Sequence, residues 1–261
     1  MQNAEWEILD VECNARRIAK DDQLIGYQMV IRDITERNRL QKDLIASLEN
    51  MQKAKSGTIL GLAKLAEYRD EETGAHLERI REYTRVIAIE LTQRPEYASY
   101  IDDEYIEDLY FSSILHDIGK VGIPDNILLK PGKLSKEEFD IIKQHPIIGG
   151  EVLKNVDREV GQQSFLSLAN EIAFYHHEKW DGTGYPKGLA GEEIPLSARI
   201  VCLADVYDAL TTKRVYKEAY SHEKARQIII RYRGTHFDPL IVDAFLRNED
   251  KFNRIRLELG Y

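Results

Sequence analysis

Hydrophobic and polar residues alternate along residues 5–34, whereas over most of the remaining chain they recur with helical spacing. The stretch EWEILDVECNARRIA is followed by the polar turn KDDQ and then by LIGYQMVIRDI, a pattern that predicts two or three strands. A sheet of that size cannot bury a core of its own. We therefore expect this segment to be the end of a larger domain or to pair with another chain.

A long polar helix is predicted from about Thr35, which is placed to cap its start, through TERNRLQKDLIASLENMQKAKSGTILGLAKLAEYRD. A heptad repeat, followed along this helix in alternating steps of three and four residues, places apolar and polar residues at the core positions in roughly equal number. These positions are Ile34, Arg37, Gln41, Leu44, Leu48, Met51, Lys55, Thr58, Leu62 and Leu65. The pattern favours parallel dimerisation through the helix, and a solvated connecting helix is the alternative.

Helical periodicity continues after Glu72, in stretches such as GAHLERIREYTRVIAIELT and DDEYIEDLYFSSILHD. Ser135 and Glu138 have the spacing of a capping box, and Pro146 begins a further helical segment. RIVCLADVYDALTT opens with β-branched residues, but its later residues favour a helix. The sequence therefore predicts an all-α main domain.

Composition narrows the class of protein. The chain has 261 residues and a net charge of -9, which disfavours general nucleic-acid binding. No apolar run approaches the roughly 18 residues that span a membrane, and the N-terminus lacks the pattern of a secretory signal. Cys13 and Cys202 are far apart, so a disulfide framework is not expected. We predict a cytoplasmic protein.

Five of the seven histidines lie near carboxylates or near each other. An isolated pair of this kind is more often a surface hydrogen bond than a metal site, but together they offer eight nitrogen and oxygen ligands and no sulfur. The candidates are Glu72, His76, His116, Asp117, His145, His176, His177 and Asp205.

Eight ligands are too many for one tetrahedral ion and suit two or three ions with open positions. Imidazole and carboxylate without thiolate indicate iron or manganese, with zinc, nickel or cobalt as substitutes. Adjacent histidines on one helix diverge by about 100°, so we expect His176 and His177 to serve different ions.

These motifs resemble a known family. The stretches RDEETGAH, HDIGK, QHP and LADVYDALTTKRVYK resemble the HD metal-dependent phosphohydrolase superfamily, over about residues 56 to 250. HHEKWDGTGYP is similar to the signature of its HD-GYP family, which hydrolyses the bacterial second messenger cyclic di-GMP. The preceding Asp-Ile-Thr-Glu-Arg, residues 33–37, resembles the end of a PAS sensory domain that runs into a signalling helix.

The resemblance implies an HD-type helical bundle in which all eight candidates bind metal. Asp117 would bridge two ions, and Glu72 is typical of the three-metal members. It also implies hydrolysis of cyclic di-GMP to linear pGpG, with GMP as the alternative end product, by a water activated between ions.

Substrate contacts follow from the same resemblance. Lys120 would steady a phosphate oxygen or assist proton transfer, while Arg214 and Lys217 would bind phosphates. Tyr185 would stack on a guanine or contact a phosphate, although a purely structural turn is the alternative. Asp208 would orient substrate or support a ligand, and Asp70 would point toward the pocket or lie on the helix surface. Val215 departs from the family, which commonly has proline at this position.

The predicted organisation is a PAS remnant over residues 1–35, a signalling helix over 36–68 and a phosphodiesterase domain over 69–261. Expected partners are cyclic di-GMP, a second copy of the chain, and a diguanylate cyclase bound at the GTGYP loop. Two alternatives stay open: hydrolysis of another cyclic dinucleotide, and a non-catalytic receptor for the messenger.

Overall fold

The computed structural model describes residues 8–68, 75–161, 165–213 and 218–260. It separates into two units, residues 1–57 and 58–261. The fold is predominantly helical with a small two-stranded sheet, which confirms the predicted fold class. Among the described residues, no helix combines the length and the apolar character needed to cross a bilayer.

The N-terminal unit contains an antiparallel hairpin. Strand β1 (Val11–Lys20) pairs with β2 (Gln23–Asp33), with a register irregularity between Ile18 and Ala19. The turn passes through Asp21 and Asp22, both of which have positive φ angles, as a two-residue hairpin turn requires. Both strands are almost entirely exposed, as expected of a pair of strands that has no core of its own.

Helix α1 (Thr35–Glu67) follows β2 directly. Thr35 is its first residue, and its backbone N–H donates to Oδ1 of Asp33, so Asp33 satisfies the donor at the helix start. The last turns of α1 have a buried face formed by Ile59, Ala63, Ala66 and Glu67. Residues 58–67, which the sequence assigns to the signalling helix, therefore belong to the second unit.

The second unit is a bundle of helices joined by short loops. Its α-helices are α2 (Ala75–Leu91), α3 (Asp103–Ser112), α4 (Asp125–Leu128), α5 (Lys136–Ile142), α6 (His145–Val160), α7 (Phe165–Tyr175), α8 (Leu196–Thr211), α9 (His222–Arg231), α10 (Pro239–Arg247) and α11 (Glu249–Glu258). Short 3-10 helices span Ser113–Leu115, Ile118–Gly122 and Gly191–Glu193. The capping box of Ser135 and Glu138 is present at the start of α5, as predicted.

Two buried apolar clusters hold the bundle together. The larger joins α2, α3 and α8 to the last helices, and in it the rings of Tyr83 and Phe252 stack with centroids 4.5 Å apart. The smaller joins the end of α1 to α2, α3 and α7 through residues such as Ala63, Leu77 and Phe111. Of the candidate ligands, His76, His145 and His176 lie at or just beyond helix ends, whereas Asp205 lies within α8.

Candidate metal centre

Four candidate ligands converge in what we call the Asp117 cluster, formed by Asp117, His145, His176 and His177. Each offers a donor atom, and all these atoms lie within 4.8 Å of one another. Oδ1 of Asp117 lies 3.0 Å from Nε2 of His145 and 3.5 Å from Nε2 of His176. Nε2 of His177 lies 3.2 Å from Nε2 of His145. The cluster is buried except for His177, which is half-buried.

Backbone carbonyl groups set the direction of these histidines. Nδ1 of His145 lies 2.7 Å from the carbonyl oxygen of Ile142, and Nδ1 of His176 lies 3.0 Å from that of Ile172. A carbonyl oxygen can only accept a hydrogen bond, so in each ring Nδ1 carries the proton. Nε2 therefore presents its lone pair to the interior of the cluster.

The turn that carries Asp117 lies between two 3-10 helices, and the second of these, Ile118–Gly122, packs against α6 with no room for a side chain at Gly119. A Cβ atom on Gly119 would lie 2.0 Å from the carbonyl oxygen of His145 and 2.5 Å from the amide nitrogen of Gly149. This close approach brings Asp117 next to His145.

A second group, the Glu67 cluster, consists of Glu67, His76 and His116, all of them buried. Oε1 of Glu67 lies 3.9 Å from Nε2 of His76. Nδ1 of His116 lies 2.9 Å from the carbonyl oxygen of Ser113, which directs its Nε2 inward. The two clusters are adjacent, because the rings of His116 and His176 contact each other edge to face, with centroids 5.3 Å apart.

Asp208 and Arg79 hold His76 in place. Oδ2 of Asp208 lies 2.7 Å from Nδ1 of His76, and the guanidinium of Arg79 donates to both carboxylate oxygens of Asp208. Arg79 also donates to the hydroxyl of Thr212 and to the carbonyl oxygen of Leu259. Asp208 is 1% exposed. Asp208 lies behind His76, in the position of a supporting residue, and the alternative role of orienting substrate stays a prediction.

Asp205 lies one helical turn before Asp208 on α8, at the edge of the Glu67 cluster. Its Oδ1 is 3.9 Å from Nε2 of His76. Its side chain is partly exposed, unlike those of His76 and Asp208.

The electrostatics of the Asp117 cluster oppose protonation of its carboxylate. Burial alone would raise the pKa of Asp117, but the Lys120 ammonium and the His116 and His145 rings outweigh it and hold that pKa well below its usual range. Burial, reinforced by the neighbouring imidazoles, lowers the pKa of His176 and His177. Burial would also lower the pKa of His116, but Asp117 beside it raises the value. The cluster thus combines an ionised Asp117 with two imidazoles, of His176 and His177, that favour the neutral, ligating form.

The prediction that His176 and His177 diverge toward different ions disagrees with this geometry. Helix α7 ends at Tyr175, so the two residues lie in the turn beyond it and not on successive helical positions. Their ring centroids are 4.0 Å apart, and both point into the Asp117 cluster. The helical angle of about 100° does not apply to residues in a turn.

Lys120 lies next to the Asp117 cluster. Its Nζ is 2.8 Å from Oδ2 of Asp117, and 13% of its side chain is exposed. The lysine is therefore an embedded partner of the cluster and not a solvated residue at a helix end.

The GTGYP loop folds back on the segment that carries the two histidines. A Cβ atom on Gly184 would lie 2.4 Å from the amide nitrogen of Lys179 and 2.6 Å from the carbonyl oxygen of His177. Buried Glu178 accepts hydrogen bonds from the backbone N–H groups of Lys187 and Gly188. The loop is thereby anchored to the histidine turn through backbone contacts.

Tyr185 lies against the metal-ligand candidates. Its ring stacks on that of His177, with centroids 4.7 Å apart and planes inclined by 27°, and it meets the ring of Phe139 in a T-shaped arrangement. The side chain is half-buried. One face of the Tyr185 ring packs on the bundle through His177. That the tyrosine also forms part of the substrate wall stays a prediction.

Comparison with known proteins identifies the family. A model of the HD domain matches residues 62–241. The chain belongs to the HD domain family. A cyclic di-GMP phosphodiesterase of Vibrio cholerae is 53% identical over 215 residues, which cover 82% of this chain and 44% of that protein. A 3′3′-cGAMP-specific phosphodiesterase of the same organism is 41% identical over 77% of this chain and 36% of its own length.

A crystal structure of a cyclic GMP-AMP specific phosphodiesterase of V. cholerae has the same fold as this HD domain. The two superpose with a TM-score of 0.52 and 21% sequence identity, and the match covers 79% of this chain and 51% of the other. The chain thus spans about half the length, or less, of these relatives.

An HD domain implies divalent metal binding, and the residues of this chain fit it. Nε2 of His116 and Nε2 of His176 are buried and make no well-aligned hydrogen bond to a described residue. Two Nε2 atoms, of His145 and His177, face each other at 3.2 Å, a separation that favours a cation or a proton close to both. The donors are imidazole nitrogens and carboxylate oxygens, the ligands that iron, manganese and zinc accept.

Seven of the eight predicted ligands lie in or beside these clusters: His76, His116, Asp117, His145, His176, His177 and Asp205. Glu72, Asp70, Arg214 and Lys217 lie outside the described residues, as does Val215. Sequence reasoning did not identify Glu67 or Arg79. One feature of the sequence could have identified Glu67. It continues the apolar face of α1 formed by Ile59, Ala63 and Ala66, and a carboxylate buried on such a face requires a partner.

Proposed function

We propose that this chain hydrolyses cyclic di-GMP in a metal-dependent reaction that gives linear pGpG, with GMP as the further product if the linear dinucleotide is cut again. The observation that carries the proposal is the convergence of the Asp117 and Glu67 clusters within an HD domain. The cyclic di-GMP phosphodiesterases among its relatives, such as the one of 53% identity, support the same substrate.

The residues of the chain would hold the metal as follows. The Asp117 cluster supplies one ligand set, and the Glu67 cluster with Asp205 supplies a second beside it. Bound divalent ions lower the pKa of a coordinated water and neutralise the charge that develops on the phosphate. Iron or manganese is our expectation for the resident metal, and Glu72 would favour three ions over two.

We assign Asp117 and Lys120 roles in the reaction. Asp117 lies between the histidines of the cluster and would hold metal through its carboxylate, as a bridge if two ions bind. Lys120, whose Nζ touches that carboxylate, would donate to a non-bridging oxygen of the phosphate or assist proton transfer. Water adds across one P–O bond, so its oxygen joins phosphorus and a proton goes to the leaving ribose oxygen.

Substrate contacts extend outward from the metal centre. Tyr185 would present the ring face opposite His177 to a guanine base, or its hydroxyl to the phosphate. Arg214 and Lys217 would bind phosphates by virtue of their charge. Asp70 would point toward the pocket, with a position on the helix surface as the alternative.

Two other functions compete with this one. The first is hydrolysis of 3′3′-cGAMP, which is supported by a relative of 41% identity that is named a 3′3′-cGAMP-specific phosphodiesterase. A non-catalytic receptor would be expected to lack members of the ligand set, whereas seven of the eight predicted ligands lie together at the described site. Catalysis on a cyclic dinucleotide is therefore the better supported class.

The deciding experiment compares both substrates on one preparation. Protein purified without oxygen would be analysed for metal and incubated with cyclic di-GMP and with 3′3′-cGAMP, the products being resolved by chromatography. We expect a higher kcat/KM for cyclic di-GMP, with loss of turnover after chelation and recovery on adding metal. Preference for 3′3′-cGAMP would move the assignment to the second function, and no turnover of either by metal-loaded protein would support the receptor.

Assembly and regulation form a separate proposal. The apolar heptad residues Leu44, Leu48 and Met51 are 50–64% exposed on α1, as expected of a helix that pairs with a second copy. We expect a homodimer through this helix, with a PAS domain before it as the sensor. A diguanylate cyclase bound at the GTGYP loop stays a prediction.

A further inference from the structure

We propose that Glu67 is a metal ligand and completes a site with His76 and His116. This inference rests on the proposed metal dependence and adds a carboxylate that neither the motif spacing nor the family resemblance assigns. The sequence pointed instead to Glu72, because Glu72 and His76 have the spacing of one helical turn.

The position of Glu67 on α1 is the first support. It is the last residue of the helix and lies on its buried face, together with Ile59, Ala63 and Ala66. Only 4% of Glu67 is exposed. A carboxylate this deeply buried is costly unless a cation or a set of donors compensates its charge.

The geometry of its neighbours is the second support. Nδ1 of His76 is engaged by Asp208, and Nδ1 of His116 by the carbonyl of Ser113, so both rings present Nε2 toward Glu67. Oε1 of Glu67 lies 3.9 Å from Nε2 of His76, which is beyond hydrogen-bond distance. Two ligands at about 2.0–2.2 Å from one ion are at most about 4.4 Å apart, so this separation suits a shared ion.

The arrangement of donors also matches a metal site. His76 is held by a carboxylate that Arg79 holds in turn, which is the support that metal-ligating histidines typically have. The Glu67 cluster would take a hard or borderline divalent cation such as Mn²⁺, Fe²⁺ or Zn²⁺, because it offers imidazole and carboxylate and no thiolate.

The test measures metal binding to the full chain without using activity. Metal-free protein would be titrated with Mn²⁺ by calorimetry, and bound metal would be counted by mass spectrometry. The variants are Glu67→Gln, which removes charge at constant shape, and Glu49→Gln, the same change at an exposed position on the same helix. We expect Glu67→Gln to lose one equivalent of Mn²⁺, or to bind its weakest ion at least about 10-fold less tightly. Glu49→Gln should match the natural chain.

Several outcomes would overturn the proposal. One is an unchanged Mn²⁺ count and affinity in Glu67→Gln; another is a loss of stability in its metal-free form with no change in metal binding, which would assign Glu67 a structural role. If Glu67→Gln does not fold, Glu67→Asp keeps the charge at a shorter reach, and we expect weakened Mn²⁺ binding by a folded protein. Glu72→Gln, measured in parallel, shows whether the two glutamates serve the same ion.

Failure of this inference can be told apart from failure of the proposed function. If the unsubstituted protein binds Mn²⁺ fully but hydrolyses neither cyclic dinucleotide, the proposed activity is refuted. The role of Glu67 is then still decided by the Mn²⁺ titration of the variants. A natural chain that binds no Mn²⁺ would refute both.

Discussion

The Asp117 cluster and the Glu67 cluster use the same ligand types, and a backbone carbonyl orients a histidine in both, but His76 of the Glu67 cluster is oriented differently. In the Asp117 cluster, backbone carbonyls of Ile142 and Ile172 face Nδ1 of His145 and His176. In the Glu67 cluster, the carboxylate of Asp208 takes that role for His76, and Arg79 holds Asp208. A backbone carbonyl is present whatever residue carries it, whereas the second arrangement requires two particular side chains.

This difference has a chemical consequence. A carboxylate makes the imidazole it touches a stronger donor to metal than a neutral carbonyl does. It can also be altered by a single substitution, because Asp208 lies outside the set of metal-binding atoms. We therefore expect the Asp117 cluster to keep its ion in most variants, and the Glu67 cluster to be the site whose affinity is easily tuned.

The largest expected effect comes from Asp117→Asn. Asp117 contacts His116, His145 and Lys120, and it is the carboxylate that we propose would bridge ions, so its loss removes charge from the centre of the site. We expect hydrolysis to fall by about 10³-fold, since the ions supply several kcal/mol of transition-state stabilisation. Turnover and metal content would be measured together. Asp140→Asn, at an exposed aspartate on α5, should have no effect, and equal losses in both variants would contradict the role of Asp117.

A smaller effect, confined to one cluster, is expected from Asp208→Asn. The amide keeps the shape but no longer holds Nδ1–H of His76 with a charged acceptor, so the ion at the Glu67 cluster should bind about 10–100-fold less tightly. Calorimetric titration with Mn²⁺ should show the tighter ion unchanged. If both ions weaken equally, the two clusters are not independently supported.

Gly119→Ala tests the backbone support of the Asp117 cluster. The added Cβ would meet the carbonyl oxygen of His145 and force the two segments apart. We expect a loss of about 1–3 kcal/mol in the free energy of unfolding, with weaker binding of the ion at the Asp117 cluster. Denaturant unfolding of the metal-free chain measures the first effect. Gly61→Ala, where a Cβ would meet nothing within 4 Å, should be neutral or stabilising, and a similar loss there would contradict the packing argument.

The smallest effect is expected from Tyr185→Leu. Removing the ring takes away a stacking surface next to His177, so KM for cyclic di-GMP should rise about 5- to 10-fold, the lower end of what one base stack contributes. The metal count should not change. Tyr185→Phe separates the ring from the hydroxyl: if it behaves like the natural chain, the ring carries the effect, and a large fall in kcat would point to the hydroxyl instead.

Local sequence patterns predicted much of the fold. The capping box of Ser135 and Glu138, the amphipathic spacing of α2 and the alternation in β1 and β2 each depend on neighbours close in the chain, and the structure contains all of them. The chemistry of the site could also be read, because histidines and carboxylates without cysteine indicate a particular class of metal.

The parts that could not be predicted depend on distant residues. Arg79 and Asp208 are 129 positions apart, and no spacing rule relates them. Helix α1 ends at Glu67 and α2 begins at Ala75, so the spacing of a single helix does not connect Glu67 to His76. The orientation of His177 depended on where α7 ends, and helix ends are the least predictable feature of a helix.

The hydrogen bond from Arg79 to the carbonyl oxygen of Leu259 has a bearing on mutational scanning. This acceptor belongs to the main chain, so every side-chain replacement at position 259 retains it, and an alanine scan would report the position as tolerant. Only a change in the path of the backbone, such as a helix-breaking insertion in α11, would withdraw the acceptor from Arg79. Tolerance to substitution and tolerance to insertion should therefore disagree at this end of the bundle.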